Sequence, residues 1–144
     1  MQNTNKHITL KLILNQIKKQ FDNLNIKGDI KIIPTGIVNL DSALGIGGMP
    51  RGRIIEIFGA KSSGKTTLSY NIISETQNRN NMAVFIDVEH SFDSYYATRM
   101  GVNLNNLFIF QPNNGEQVFE IIEALIRSNT VDLIVIDSVA ALTS

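Results

Sequence analysis

Cysteine and tryptophan are both absent from this chain of 144 residues. Without cysteine no disulfide can brace the fold and no thiolate can hold a metal, which also suits a reducing compartment. Three prolines, with charged residues at 18% of the sequence, exclude a proline-rich spacer and a highly charged disordered tail. Long apolar runs are missing too. Between Leu10 and Ile17 the apolar residues are broken by Lys11, Asn15 and Gln16, too often for a signal-peptide core. No stretch approaches the roughly 18 apolar residues of a membrane span, so no membrane partner is expected and a soluble, cytoplasmic protein is. The two histidines, His7 and His90, have no partners at ligand spacing, so a zinc site is not expected. What is present is 43% hydrophobic residues, enough for one domain with a packed core.

The net charge of zero conceals an asymmetry. Residues 1–31 hold six lysines against Asp22 and Asp29, a balance of +4, and the remainder holds seven basic and eleven acidic residues, a balance of −4. A basic arm of that kind attracts phosphate backbones or an acidic protein surface, or it is simply a solvated helix face. Apolar residues at Leu10, Ile13, Leu14, Ile17 and Phe21 predict a helix over 4–21, followed by a short β-branched strand at Ile30–Ile33. Residues 1–33 thus read as a small helix-plus-strand unit, with a second domain over 34–144.

In that second part, Asp41–Leu44 predicts a helical turn and the glycines from Gly45 to Gly52 a turn-rich link. Arg53–Phe58 (RIIEIF) predicts a strand running into the glycine loop at Gly59. Helices are expected at Lys65–Arg79, Ser94–Met100 and Gly115–Ser128, the last with Val118, Ile121, Ile122, Leu125 and Ile126 as its apolar stripe. Met82–Asp87, Leu107–Phe110 and Leu133–Ile136 read as strands. Strands apolar on both faces and alternating with helices specify an α/β fold with a parallel sheet covered by helices.

The strongest chemical signal is GAKSSGKT, Gly59–Thr66, a full G-x-x-x-x-G-K-[ST] phosphate loop. Its glycines let the backbone curl until successive N–H groups face phosphate oxygens. Gly59, Ala60, Lys61, Ser62, Ser63, Gly64, Lys65, Thr66 and Thr67 are therefore the candidate nucleotide-binding residues. Lys65 supplies charge to the β- and γ-phosphates, the Thr66 hydroxyl suits Mg²⁺, and the following helix aims its N-terminus at the anion. Asp137, ending the LIVID run, is a second candidate magnesium ligand at the sheet edge where open α/β folds bind ligands. Past MAVFID, Glu89 is placed to orient an attacking water, with Asp87 a competitor for any role at that strand end. Tyr95 and Tyr96 suit either base stacking or core packing.

Four consecutive blocks, PTGIVNLDSALGIGGMPRGRIIEIFGAKSSGKTTL, AVFIDVEHSFDSYYATRMGVN, FQPNNGEQVFEI and VDLIVIDSVAALTS, resemble the bacterial RecA recombinase family in order and spacing. The resemblance runs from Pro34 to the last residue. It implies a RecA-like P-loop NTPase sheet and an ATP- and Mg²⁺-dependent ATPase that forms filaments on single-stranded DNA. Pairing with double-stranded DNA, strand exchange, DNA repair and the SOS response come with it. By the same resemblance Glu89 is the catalytic glutamate, Lys65 and Thr66 the phosphate and magnesium positions, and Asp137 the Walker-B acid followed by Ser138. Tyr96 is the aromatic that stacks on adenine, Asp93 a neighbouring contact to the base, and the 1–33 unit the segment that docks onto the next subunit.

Departures within the matching blocks are local. Ala60 and Lys61 stand where proline and glutamate are common, and Ser94 where proline is usual. The family's two DNA-binding loops, its γ-phosphate-sensing glutamine, its C-terminal domain and a strand between the phosphate-loop and Walker-B strands are not in these 144 residues. The expectation is an incomplete sheet. A fragment that docks on or caps an intact recombinase filament, or a remnant without activity, are the alternatives to an active ATPase. The EHSFD and GEQVFEI blocks argue against a hexameric helicase or a clock ATPase.

Overall fold

The computed structural model describes Leu12, Ile13 and residues 30–142. The helix expected over 4–21 lies outside the described residues except at Leu12 and Ile13, which are helical and exposed. Residues 1–30 and 31–144 form separate units.

The second unit is α/β. Its elements are β1 (Ile32–Ile33), α1 (Val38–Ala43), β2 (Met49–Pro50), α2 (Lys65–Asn78), β3 (Ala83–Asp87), α3 (Ser94–Arg99), β4 (Leu107–Phe110), α4 (Gly115–Ser128) and β5 (Leu133–Asp137). The last three strands form a parallel sheet in the order β4-β3-β5. Ala83 is level with both Leu107 and Leu133, and Asp87 with Asp137.

Alternation along β3 divides the core into two layers, because successive side chains point to opposite faces. Ala83 and Phe85 pack with Leu107 beneath Tyr70 and Ile73 of α2 and Ala97 of α3. Val84 and Ile86 pack on the other face against Val118, Ile121, Ile122 and Leu125 of α4. Helices therefore cover both faces, and all five residues of β3 are buried. The expected apolar stripe of α4 is narrower than its sequence suggested, since Ile126 is exposed. The ends of α4 are set locally. The Asn114 side chain accepts from the Gln117 N–H, the Gln117 side chain accepts from the Asn113 N–H, and Asn129 closes the helix in the left-handed region at φ 52°.

Two features of residues 31–58 differ from the sequence reading. The link from Gly45 to Gly52 contains β2, which pairs antiparallel with β1. Gly48 is required there, because a Cβ would sit 2.6 Å from the Ile33 carbonyl oxygen. Beyond the pair, the Arg51 guanidinium bonds to Asp132, whose other oxygen accepts from the Met82 N–H at 2.9 Å. The Met82 amide, ahead of Arg51, holds the Asp132 carboxyl below its ordinary range against the opposing effect of burial.

The second difference is larger. Arg53–Phe58, expected as the strand leading into the glycine loop, is not a strand. It has no ladder partner among the described residues, and Ile54 and Phe58 are 104% and 85% exposed. The physical reason is that β5 pairs only with β3, so no neighbouring strand lies alongside Arg53–Phe58. An apolar, β-branched composition does not hold a strand in place without a hydrogen-bonding neighbour.

Candidate nucleotide-binding site

The glycine loop leads into α2 through Gly64, which takes φ 95° as the residue before the helix. Ser62 also lies in the left-handed region at φ 62°, and the Ser63 N–H bonds back to the Ala60 carbonyl at 3.1 Å. The loop is thus curled and exposed along Gly59–Gly64. No side chain caps α2, so its first-turn N–H groups keep their donors for an incoming anion. Lys65 folds over the loop and donates to the carbonyls of Gly59 at 2.8 Å and Ala60 at 3.0 Å. Lys61 is exposed.

Sheet and loop meet at Thr66, whose hydroxyl donates to Asp137 Oδ2 at 3.2 Å across 71 positions of sequence. Asp137 ends β5 at the carboxyl edge of the sheet, the edge where such folds bind ligands. The residues fit a hard cation. One hydroxyl and one carboxylate are a sufficient protein contribution for Mg²⁺, which keeps waters and phosphate oxygens as its other ligands.

Glu89 is exposed in the turn after β3 and accepts from the Ser138 hydroxyl at 2.8 Å, beside Asp137. Asp87, its competitor on sequence grounds, is fully buried and already engaged. It accepts from the Ser91 N–H at 2.9 Å, the Phe92 N–H at 3.0 Å and the Gln111 side chain at 3.0 Å. Its place is to shape the 88–92 turn that carries Glu89. Within that turn His90 takes φ 53° and is exposed.

The third part of the site is α3. Asp93 precedes it and caps it, accepting from the Tyr96 N–H at 2.9 Å. Tyr96 is half-buried and shares a 2.8 Å hydrogen bond with the Thr67 hydroxyl. Core packing and exposure thus fall on one ring. Tyr95 is 72% exposed with the Arg99 guanidinium 5.9 Å from its ring. The site gathers Lys65, Thr66 and Asp137 in one place, with Glu89 joined through Ser138 and Tyr96 through Thr67. Three partners were not singled out from sequence: Ser138 as the group holding Glu89, Thr67 as the partner of Tyr96, and Tyr70. Each is a hydroxyl next to, or one helical turn from, a recognised motif residue, which is the signal that was available.

A parallel sheet with a glycine loop opening a helix, and with a threonine of that helix bonded to an acid ending another strand, defines a P-loop nucleotide-binding α/β protein. A family model described as the RecA N-terminal domain matches residues 8–144. The chain belongs to the RecA family, of which it carries the N-terminal portion.

Individual relatives agree. Protein RecA of Porphyromonas gingivalis is 51% identical over 150 aligned residues, covering 99% of this chain and 44% of the relative. Protein RecA of Bacteroides thetaiotaomicron is 51% identical over 99% of this chain and 46% of its own length. Protein RecA of Chloroflexus aggregans is 62% identical over 78% of this chain and 32% of the relative. The chain thus spans less than half the length of these relatives. Among the described residues no helix is long and apolar enough to cross a membrane.

Proposed function

We propose that this chain is the ATP-binding part of an ATP-dependent DNA recombinase. The observation that carries the reading is the Thr66–Asp137 hydrogen bond, which puts a hydroxyl and a carboxylate together beside the uncapped start of α2. A bound Mg²⁺ would supply charge neutralisation to the phosphates. Thr66 and Asp137 would hold it, and the backbone N–H groups of Gly59–Thr67 cradle the phosphates. Lys65 exchanges two carbonyl partners for phosphate oxygens, a stronger, charge-assisted contact.

Glu89 orients the water that attacks the γ-phosphate. The Ser138 hydroxyl fixes one of its oxygens, and the Asp87 network fixes the turn beneath it. The exposed face of Tyr96 stacks on adenine, and Asp93 contacts the base.

Assembly is part of the same proposal. The outer edge of β4 has no strand partner among the described residues, and Phe108 and Phe110 are exposed. Such an edge, with apolar side chains beside it, accepts an added strand. The 1–33 unit of a neighbouring copy is the proposed occupant, giving a cytoplasmic filament on single-stranded DNA that pairs with double-stranded DNA during repair. The competing reading is a piece that caps the filament of an intact recombinase by docking its helix over 4–21 and its strand at Ile30–Ile33 onto that partner.

Equilibrium binding of Mg-ATP tests the core of the reading. Binding that Lys65→Ala abolishes and Thr66→Ala makes independent of Mg²⁺ is the expected result. Equal affinity in all three proteins would remove the phosphate loop from the account.

A further inference from the structure

Tyr70 is completely buried in α2, yet its hydroxyl is used: it accepts the Asp93 N–H at 3.1 Å. Phenylalanine would fill nearly the same volume, so packing alone does not account for the oxygen. The ring sits at the centre of an aromatic cluster, 5.4 Å from Phe92, 5.9 Å from Tyr96 and 6.1 Å from Phe85, centroid to centroid. Edge and tilted contacts of this kind fix ring orientations as well as burying area.

Tyr70 thereby touches both residues that the proposed function assigns to the base. It holds the backbone of Asp93 through its hydroxyl and the ring of Tyr96 through its own ring. One turn earlier on the same helix, Thr67 holds the Tyr96 hydroxyl. Asp93 uses Oδ1 to cap α3, and its side chain is otherwise exposed. An ionised carboxylate accepts hydrogen bonds and cannot donate them, so the second oxygen suits the exocyclic amine of adenine and opposes the carbonyl of guanine. Small displacements of Asp93 decide how well that contact is made.

We infer that Tyr70 is a positioning residue for base selection: through the Asp93 N–H it sets the location of Asp93 and Tyr96, and so the preference for an adenine nucleotide. The inference rests on the assignment of Asp93 and Tyr96 to the base. It makes selectivity a property of the phosphate-loop helix, whose first turn holds the triphosphate and whose second turn holds the base-contact unit.

Binding of Mg-ATP, Mg-GTP and magnesium triphosphate without a nucleoside is measured for the unaltered chain, Tyr70→Phe and Tyr96→Ala. The expected result is an ATP advantage over GTP that falls roughly two- to tenfold in Tyr70→Phe, the scale of one hydrogen bond. Triphosphate binding stays constant, which also shows that the variant is folded. An ATP advantage unchanged in Tyr70→Phe overturns the inference and leaves the base-contact assignment standing. Absence of any gain from the base in the unaltered chain, or no effect of Tyr96→Ala, overturns that assignment and the inference with it. If Tyr70→Phe does not fold, amide exchange of the unaltered chain decides. Protection of the Asp93 N–H equal to that of helical amides supports the inference, and exchange at the solvent rate overturns it.

Discussion

AVFID and RIIEIF are similar pieces of sequence with opposite fates. Both are short, apolar and β-branched, and each precedes a stretch of the site. Ala83–Asp87 is buried throughout and paired on both edges, whereas Arg53–Phe58 is unpaired and exposes Ile54 and Phe58. Intrinsic preference is nearly equal in the two, so the difference lies in neighbours. A strand exists where its N–H and C=O groups find a ladder and its side chains find a helix to pack on. β3 has β4, β5, α2 and α4; Arg53–Phe58 has no ladder partner among the described residues.

The largest effect expected from this contrast is in the core. Phe85→Ala should cost about 3–5 kcal/mol in chemical denaturation, because it opens a cavity among Tyr70, Phe92 and Leu107. Ile54→Ala should change stability by less than about 0.5 kcal/mol, since its side chain already lies in water. Similar losses at the two positions would mean that Arg53–Phe58 is packed in solution.

Next in size is Asp87→Ala, expected to cost roughly 3 kcal/mol by leaving the Ser91 and Phe92 amides and the Gln111 side chain without their acceptor. Glu56→Ala, an acid on the exposed segment, should be neutral in the same assay. If Asp87→Ala is equally silent, the 88–92 turn is not held by the Asp87 carboxylate.

A smaller effect depends on pH. The folded-state carboxyl of Asp132 ionises at lower pH than in the unfolded chain. It therefore adds stability that is present above the unfolded value, about 4, and is lost as pH falls through the lower folded value. Denaturation at pH 6 and at pH 3 should show a loss on acidification that Asp132→Asn reduces. An identical loss in both proteins would assign the acid sensitivity to other carboxylates.

The same contrast explains how much of the molecule was legible in its sequence. β3 was readable because its apolar run is buried throughout, α4 because most of its apolar stripe is packed, and the loop at Gly59–Thr66 because its spacing is set by phosphate geometry. Arg53–Phe58 was misread because a strand's partners are remote in sequence and do not show in its own composition. Of the β1–β2 pair, β1 falls within the strand expected at Ile30–Ile33, while β2 was missed because two residues carry no periodicity. At the site, Lys65, Thr66, Glu89 and Asp137 were named by motif and resemblance. The residues alone left Asp87 competing with Glu89 and the resemblance favoured Glu89; that the Asp87 carboxylate is already engaged needed coordinates. Tyr70 was not singled out: its ring is core, and only its hydroxyl reaches further.

The central claim is that Gly59–Thr66, closed by Asp137, forms a working nucleotide site on the three-stranded sheet. Thermal unfolding of the purified chain with and without Mg-ATP tests it most directly, because a ligand stabilises only the state that binds it. A cooperative transition that rises with Mg-ATP concentration, and no longer does so in Lys65→Ala, is the predicted result. A melt that ignores nucleotide at concentrations where intact P-loop proteins are saturated would contradict the claim.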